Sequence, residues 1–147
     1  MKQITPLITV DEVESCLPFW TNLGFEVIGT VPHDGAIGFA MLNHGDLMMM
    51  YQSTGSVEAD LGTSGAPVDL PAELGRSTTT LFVEVEDLDA VIEATSQSEV
   101  IVPRRKTFYG MDEIFVRAPC GTVIGFAQRI EEDEAAAVSP QESSEDS

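Results

Sequence analysis

Residues 4–15, ITPLITVDEVES, and residues 78–90, TTTLFVEVEDLDA, share one pattern. In each, an alternating apolar segment typical of a strand runs directly into an acidic segment typical of a helix start. The two segments lie roughly 75 residues apart, which indicates an internal duplication. A chain of 147 residues has room for one domain built from two such halves.

Each copy continues with three strand-like segments, so each half predicts the order β-α-β-β-β. In the first half these segments are FEVIGTV, AIGFAML and LMMMYQS, and the hairpin signals PHDG and NHGD separate them. In the second half they are SEVIVPR, MDEIFVRAP and GTVIGFAQR. We expect an α+β domain over residues 1–130, with modules at about 3–53 and 77–130. The segment 54–76, rich in Gly, Pro and Ala, is predicted to be a connecting loop.

The first predicted helix is DEVESCLPFWTNLGF, residues 11–25. Asp11 is placed to cap it, and Glu14 is placed to complete a capping box. Pro18 should kink or shorten the helix. An apolar stripe at helical spacing predicts a core-facing side, and its members are Val13, Cys16, Leu17 and Trp20.

The net charge is −18, and it is distributed unevenly. Seven of the 25 acidic residues lie in the segment 131–147, so residues 1–130 keep a net charge of −11. The segment 131–147 has little apolar surface to bury and is predicted to be an acidic, disordered tail that aids solubility. The remaining negative charge argues against nucleic acid as a partner, and it weakly favours a cationic small molecule.

The sequence also bears on the cellular compartment of the protein and on the redox state of its two cysteines. No stretch approaches the roughly 18 apolar residues of a membrane span, and the N-terminus lacks the apolar core of a signal peptide. We therefore expect a cytoplasmic protein without a membrane partner. Cys16 and Cys120 are expected to be reduced thiols there, and their spacing does not predict a zinc site.

Three segments, in their order along the chain, resemble the vicinal oxygen chelate superfamily, which contains glyoxalases, bleomycin-resistance proteins and dioxygenases. The segments are VESCLPFWTNLGFEV, FVEVEDLDAVIEA and YGMDEIFVRAPCGTVIGFAQ. The resemblance covers residues 3 to about 130. It implies two tandem βαβββ modules that form a curved mixed sheet around a concave cleft, with the helices on the convex side.

The resemblance also places the metal-ligand positions of that superfamily in this sequence. Metal-dependent members use His, Gln or Glu there, and this chain has Thr5, Met50, Thr80 and Gly125. A threonine hydroxyl is a poor ligand, and methionine and glycine supply neither imidazole nor carboxylate. We therefore expect no bound metal and no other cofactor.

The strand LMMMYQS is apolar on both faces. By two-residue alternation, Leu47, Met49 and Tyr51 should point into the core. The cleft would then receive Met48, Met50 and Gln52. Methionine is soft and adaptable, so these side chains would suit an apolar or aromatic ligand, although they could equally fill the cleft or a dimer seam.

Other candidates have two interpretations each. Tyr109 lies in the loop that borders the cleft in similar proteins, where it would stack on a ligand or simply pack. Gly125 marks either the close approach of a ligand or the neutral loss of a metal ligand. His33 and His44 lie in turns and are expected to be solvated rather than catalytic. The basic residues 104–106 are predicted to form a solvated strand edge, with reception of an anionic group as the alternative.

These observations predict a protein that lacks the metal ligands of its relatives and that binds or sequesters a small organic molecule, aromatic or cationic, as a homodimer. The expected ligand-binding residues are Thr5, Met48, Met50, Gln52, Thr80, Tyr109 and Gly125. The alternative is a metal-dependent or metal-free enzyme of the lyase, transferase or dioxygenase type whose catalytic residues are displaced. The sequence names no catalytic residue.

Overall fold

The computed structural model of the chain describes residues 2–76 and 79–131. It divides into two compact units: the first comprises Met1–Thr78 together with Pro119–Gly121, and the second comprises Thr79–Ala118 and Thr122–Ser147. The predicted acidic tail lies outside the described residues, apart from Glu131. Within the described part, no helix is both long enough and apolar enough to cross a membrane.

The first unit folds in the predicted βαβββ order. Its elements are β1 (Leu7–Val10), a 3-10 turn (Glu14–Cys16), α1 (Leu17–Thr21), β2 (Glu26–His33), β3 (Ala36–His44) and β4 (Leu47–Ser53). The strands form one sheet in the order β1-β4-β3-β2. β1 runs parallel to β4, and the other neighbours are antiparallel. Asp34 and Gly35 reverse the chain between β2 and β3 with positive φ angles, as their sequence predicts.

The connecting segment 54–76 is not the loop that its composition predicted. It contains α2 (Thr54–Leu61) and α3 (Leu70–Gly75). Ser53 caps α2, because its hydroxyl accepts a hydrogen bond from the backbone N–H of Ser56 at 3.1 Å. Of the eight described residues of α2, only Val57 is buried, so the helix has almost no apolar periodicity by which it could be predicted.

The second unit repeats the order of the first. Its elements are β5 (Leu81–Glu84), α4 (Leu88–Ala94), β6 (Glu99–Lys106), β7 (Met111–Arg117) and β8 (Val123–Arg129). The sheet order is β5-β8-β7-β6, with β5 parallel to β8. The α+β class and the duplicated βαβββ arrangement are therefore confirmed.

One face of the first sheet packs against α1 and forms a core. Met49 and Tyr51 of β4 are buried there, as predicted. Trp20 of α1 is also buried, and its Nε1 donates a hydrogen bond to the Tyr51 hydroxyl at 2.7 Å. Leu47 was expected in this core, but it begins β4 and is 57% exposed. At a strand end, alternation no longer decides whether a side chain is covered.

The first helix differs from its prediction at its start. Pro18 lies in the first turn of α1, where its missing N–H costs nothing, so it shortens the helix and does not kink it. No side chain caps α1 or the preceding 3-10 turn. The capping box expected from Asp11 and Glu14 is therefore wrong. The Glu14 carboxylate instead accepts a hydrogen bond from the backbone N–H of Ile37 in β3 at 2.8 Å.

Candidate functional site

The face of the first sheet opposite α1 carries a group of methionines. Residues that are direct partners in neighbouring strands share a face, and the register pairs Met50 with both Leu7 and Met41. Continuing these pairs across the four strands gives a set that we call the methionine face. It consists of Leu7, Thr9, Glu26, Gly29, Val31, Phe39, Met41, Asn43, Met48, Met50 and Gln52.

The methionine face is apolar and partly open to solvent. Leu7 is 51% exposed and Val31 is 53% exposed. Met41, Met48 and Met50 are half-buried. The one charged member of this face is Glu26, which is exposed beside Asn43 at its end. Half-buried thioethers can repack around an incoming apolar group, so this face offers an adaptable contact surface.

Two polar residues predicted to line a site here already have partners. Gln52 is buried, and its Nε2 donates a hydrogen bond to the Ser56 hydroxyl of α2 at 3.3 Å. Thr5 precedes β1 and is half-buried, and its hydroxyl accepts a hydrogen bond from Gln3 Nε2 at 2.8 Å. Each would have to exchange this bond to contact a ligand.

In the second unit, Gly125 of β8 lies between two phenyl rings. Its partner in β5 is Phe82, and its partner in β7 is Phe115. The ring centroids of Phe82 and Phe115 are 6.4 Å apart. A Cβ built on Gly125 would stand 2.6 Å from Phe115 Cε2, so the absent side chain is where this ring packs. Phe82 is 54% exposed and leaves an aromatic edge at the surface.

A polar cluster stands on the same face of the second sheet, because Glu113 and Phe115 are two residues apart on β7. Glu113 is fully buried. Its carboxylate accepts a hydrogen bond from the Tyr109 hydroxyl at 2.6 Å and another from Arg105 Nη2 at 3.1 Å. Partial burial, and then the hydrogen bond to Glu113, raise the pKa of Tyr109 above its ordinary value. The phenol is therefore a hydrogen-bond donor at neutral pH.

The remaining candidates from the sequence either form contacts within the fold or are exposed. Arg104 pairs with Asp89 of α4 at 2.7 Å and with Asp112 of β7 at 2.9 Å, so the basic residues at 104 and 105 form ion pairs on opposite faces of β6. His44 packs against the Phe25 ring with centroids 5.4 Å apart. Thr80 is exposed directly before β5.

A small cavity of about 150 Å³ lies between α2 and α3 in the first unit. Its lining includes Val57, Leu61, Pro67, Leu70 and Pro71. Ligand pockets usually have volumes of about 300–1,000 Å³. This cavity is therefore too small to accommodate a drug-sized molecule without movement of the helices.

We compared the chain with profiles of known protein families to test the resemblance seen in the sequence. The profile of the Glyoxalase/Bleomycin resistance protein/Dioxygenase superfamily matches residues 2–126. The chain belongs to this superfamily. Among curated proteins, none matches the chain significantly.

Solved structures of other superfamily-like proteins share the fold at low sequence identity. TioX from Micromonospora sp. ML1 is 16% identical with a TM-score of 0.66, and the match covers 88% of this chain and 100% of TioX. A glyoxalase/bleomycin resistance protein/dioxygenase from Nocardioides is 18% identical with a TM-score of 0.65, over 90% of this chain and 86% of its own. A bleomycin-binding protein in complex with bleomycin is 16% identical with a TM-score of 0.56, over 88% of this chain and 99% of its own.

The metal-ligand positions of the superfamily, as the sequence resemblance places them, do not fit a metal ion in this chain. Met50 offers a thioether, the Thr5 hydroxyl is engaged by Gln3, and the place of a side chain at Gly125 is taken by the Phe115 ring. Zinc, nickel, manganese and iron favour imidazole, carboxylate or thiolate ligands. Across residues 2–76 and 79–131, no group of three or more His, Cys, Asp or Glu residues could hold a metal ion.

Sequence reasoning missed the buried Glu113 and its partners. The signal was available in the hairpin between β6 and β7, because Arg105 and Glu113 lie four residues on either side of Tyr109 and become direct partners when the chain reverses there. An acidic residue on an apolar face of a strand, opposite an arginine, predicts a buried ion pair.

Proposed function

We propose that the protein binds a small organic molecule, through an apolar or aromatic part of that molecule, on the methionine face. The observation that supports this most directly is the set of half-buried, uncharged side chains around Met50. Apolar contact area supplies affinity at such a surface, and the flexibility of methionine lets one surface accommodate several ligand shapes.

The relative that binds bleomycin supports sequestration as the mode of action. That protein shares the fold with this chain, and its ligand is a drug that it holds in the complex. For this chain we propose the same type of role, in which binding lowers the free concentration of a small molecule. Binding alone is sufficient for this role, so it requires none of the missing metal ligands.

The alternative function is a superfamily enzyme with displaced catalytic residues. The polar cluster of Arg105, Tyr109 and Glu113 is the observation that favours it, because it combines an acid, a phenol and a cation at one place. The raised pKa of Tyr109, caused by burial and by its bond to Glu113, keeps the phenol protonated. The Tyr109 proton is already donated to Glu113, so the phenol oxygen would meet a ligand as a hydrogen-bond acceptor, which fits a binding role as well as a reaction.

Consecutive methionines on opposite faces of β4 provide a matched test. Met50→Ala should weaken the binding of a neutral naphthalene-type fluorescent probe at least ~10-fold, a loss of about 1.4 kcal/mol, while the fold stays intact. Met49→Ala removes the same atoms from the buried side and should lower the free energy of unfolding by about 2–5 kcal/mol. The dissociation constant of the folded Met49→Ala protein should change much less.

Three measurements complete the test. Native mass spectrometry of the purified protein should reveal copurified small molecules, and probe titration and thermal unfolding should be recorded for the parent and both variants. Failure of the parent to bind any aromatic probe, charged or neutral, would argue against the proposed function. An equal loss of binding in both variants would place the ligand elsewhere.

The exposed edge strand β2 supports the proposal that the protein is a homodimer. This strand is at the edge of the first sheet, and Val27, Ile28 and Val31 are exposed on it. An apolar edge strand invites pairing with another chain. Light scattering of the parent and of an Ile28→Lys variant should show a dimer that the lysine dissociates, and a monomeric parent would rule the proposal out.

A further inference from the structure

The two cysteines, far apart in the sequence, meet inside the first unit. The short segment Pro119–Gly121, which connects β7 and β8, belongs to this unit. There the Cys16 and Cys120 thiols share a hydrogen bond, and Cys120 also shares one with the Tyr51 hydroxyl. Neither cysteine is in a disulfide.

The surroundings hold the Cys16 thiol in place. Cys16 and Trp20 are one helical turn apart and face the same side. Trp20 is fixed by its bond to Tyr51 at 2.7 Å, and the Cys16 Sγ is 3.7 Å from the Glu12 carbonyl oxygen that accepts its hydrogen bond. Cys16 and Tyr51 are fully buried, whereas Cys120 is half-buried. An oxidant can therefore reach Cys120 before it reaches Cys16.

We propose that Cys16 and Cys120 form a reversible disulfide when the protein meets a hydroperoxide. Two thiol sulfurs that already share a hydrogen bond need only small side-chain rotations to reach bonding distance. The site depends on the two cysteines and their immediate neighbours, so the inference is independent of any ligand on the methionine face.

The chemistry proceeds in two steps. The Cys120 sulfur attacks the peroxide, and the O–O bond breaks. One oxygen remains on sulfur as a sulfenic acid, and the other takes the Cys120 proton and leaves as an alcohol, or as water from hydrogen peroxide. The Cys16 sulfur then attacks the Cys120 sulfur, the S–O bond breaks, and the hydroxyl leaves as water with the Cys16 proton. The two thiols are oxidised by two electrons and the peroxide is reduced. A dithiol reductant reverses the bond by exchange.

The properties of Cys16 support this order of events. The hydrogen bond with Cys120, and then burial, raise the pKa of the Cys16 thiol far above its ordinary value. A thiol that resists ionisation is a poor first nucleophile toward peroxide. Cys16 therefore acts as the resolving thiol, which reacts only when Cys120 has been activated beside it.

A disulfide at this place joins α1 to the connection between β7 and β8. It would close a chain loop of about 100 residues, which restricts the unfolded state strongly. We expect oxidation to raise Tm by about 10 °C, and reduction with dithiothreitol to restore the original value.

The test treats the full-length protein with a small excess of hydrogen peroxide. We expect a monomer lighter by two hydrogens, no alkylation by iodoacetamide, and a Cys16–Cys120 cross-linked peptide after digestion. Cys16→Ser should leave a sulfenic acid on Cys120 that dimedone captures. Cys120→Ser should leave Cys16 unmodified under the same conditions.

Several results would overturn the proposal. In the treated parent, these are two thiols that still alkylate, disulfides that link different molecules, or over-oxidation of Cys120 while Cys16 stays unmodified. In the variants, the contrary result is that Cys16 of Cys120→Ser reacts with peroxide as fast as Cys120 of Cys16→Ser. The parent mass, peptide map and Tm decide the question without the variants if either variant fails to fold.

Discussion

The phenyl ring of Phe115 occupies the space that a side chain at Gly125 would need. The two residues are direct partners on β7 and β8, and a Cβ at position 125 would come within 2.6 Å of Phe115 Cε2. Gly125 therefore does not open space for a ligand by itself. It lets an aromatic side chain cover the strand, and any change at either residue must affect the other.

Gly125→Ala should lower the free energy of unfolding by about 1–3 kcal/mol, because the ring must move out of a packed position. Gly29→Ala is the matched control, since Gly29 also lies in a strand and a Cβ there meets no atom within 4 Å. The control should be neutral or stabilising by a few tenths of a kcal/mol. Urea unfolding of both variants makes the measurement, and equal effects at the two positions would contradict the role given to Phe115.

Because the carboxylate of Glu113 is buried, we can predict which of two substitutions lowers the free energy of unfolding more. Arg105→Gln leaves a fully buried charge with Tyr109 as its remaining partner, so we expect a loss of about 2–4 kcal/mol. Glu113→Gln leaves the Arg105 charge, but Arg105 is 54% exposed and water can solvate it, so about 1 kcal/mol should be lost.

The double variant provides the control for this pair. Arg105→Gln with Glu113→Gln removes both charges and should be more stable than Arg105→Gln alone, which gives a measurable coupling energy. Denaturant unfolding of the two single variants and the double variant at pH 7 tests the predicted order of their stabilities. A Glu113→Gln protein that is less stable than Arg105→Gln would show that the carboxylate does not depend on the arginine.

The repeated strand-to-helix pattern was sufficient to predict the βαβββ order of each half because its signals are local. Alternation in LMMMYQS assigned Met49 and Tyr51 to the core, and the turn residues at Asp34 and Gly35 marked a hairpin that the structure contains. Helix α2 escaped prediction because Val57 is its one buried side chain among residues 54–61 and the capping serine lies in the preceding strand.

The contacts that the sequence could not reveal join residues that are distant along the chain. The meeting of Cys16 and Cys120 depends on which unit receives the connection between β7 and β8, and no spacing rule predicts that. The Phe115 ring packs over Gly125 because the strand register makes the two residues partners, and the burial of Glu113 depends on the register as well. The candidate ligand-binding residues therefore remain a proposal. The structure places Met48 and Met50 on the face of β4 opposite the buried Met49 and Tyr51.

Ile130 is the last buried residue in the part of the chain that the structure describes. Its side chain is buried and its N–H donates to the Gly110 carbonyl at 2.9 Å. A chain ending at Glu131 should keep the parent Tm, because residues 132–147 carry six acidic side chains and no basic one. A chain ending at Arg129 also loses Ile130 and should unfold several degrees lower. Thermal scans of both truncations test this, and a large loss in the longer one would show that the removed segment packs on the domain.

Tyr51→Phe should destabilise the protein in a way that depends on pH. The change leaves the buried Trp20 N–H without its acceptor, which costs about 1–3 kcal/mol near neutral pH.

Burial raises the pKa of Tyr51 above its ordinary value. The stabilisation linked to its protonated form is therefore complete below the unfolded-state value near 10 and is lost as pH rises toward the folded-state value. Phenylalanine cannot titrate, so the stability gap between parent and variant should narrow between pH 9 and 11, by up to about 1.4 kcal/mol per pH unit. Urea unfolding at pH 8 and pH 11, with a reductant present so that both cysteines stay reduced, measures the gap. A gap that stays constant across this range would contradict the raised pKa.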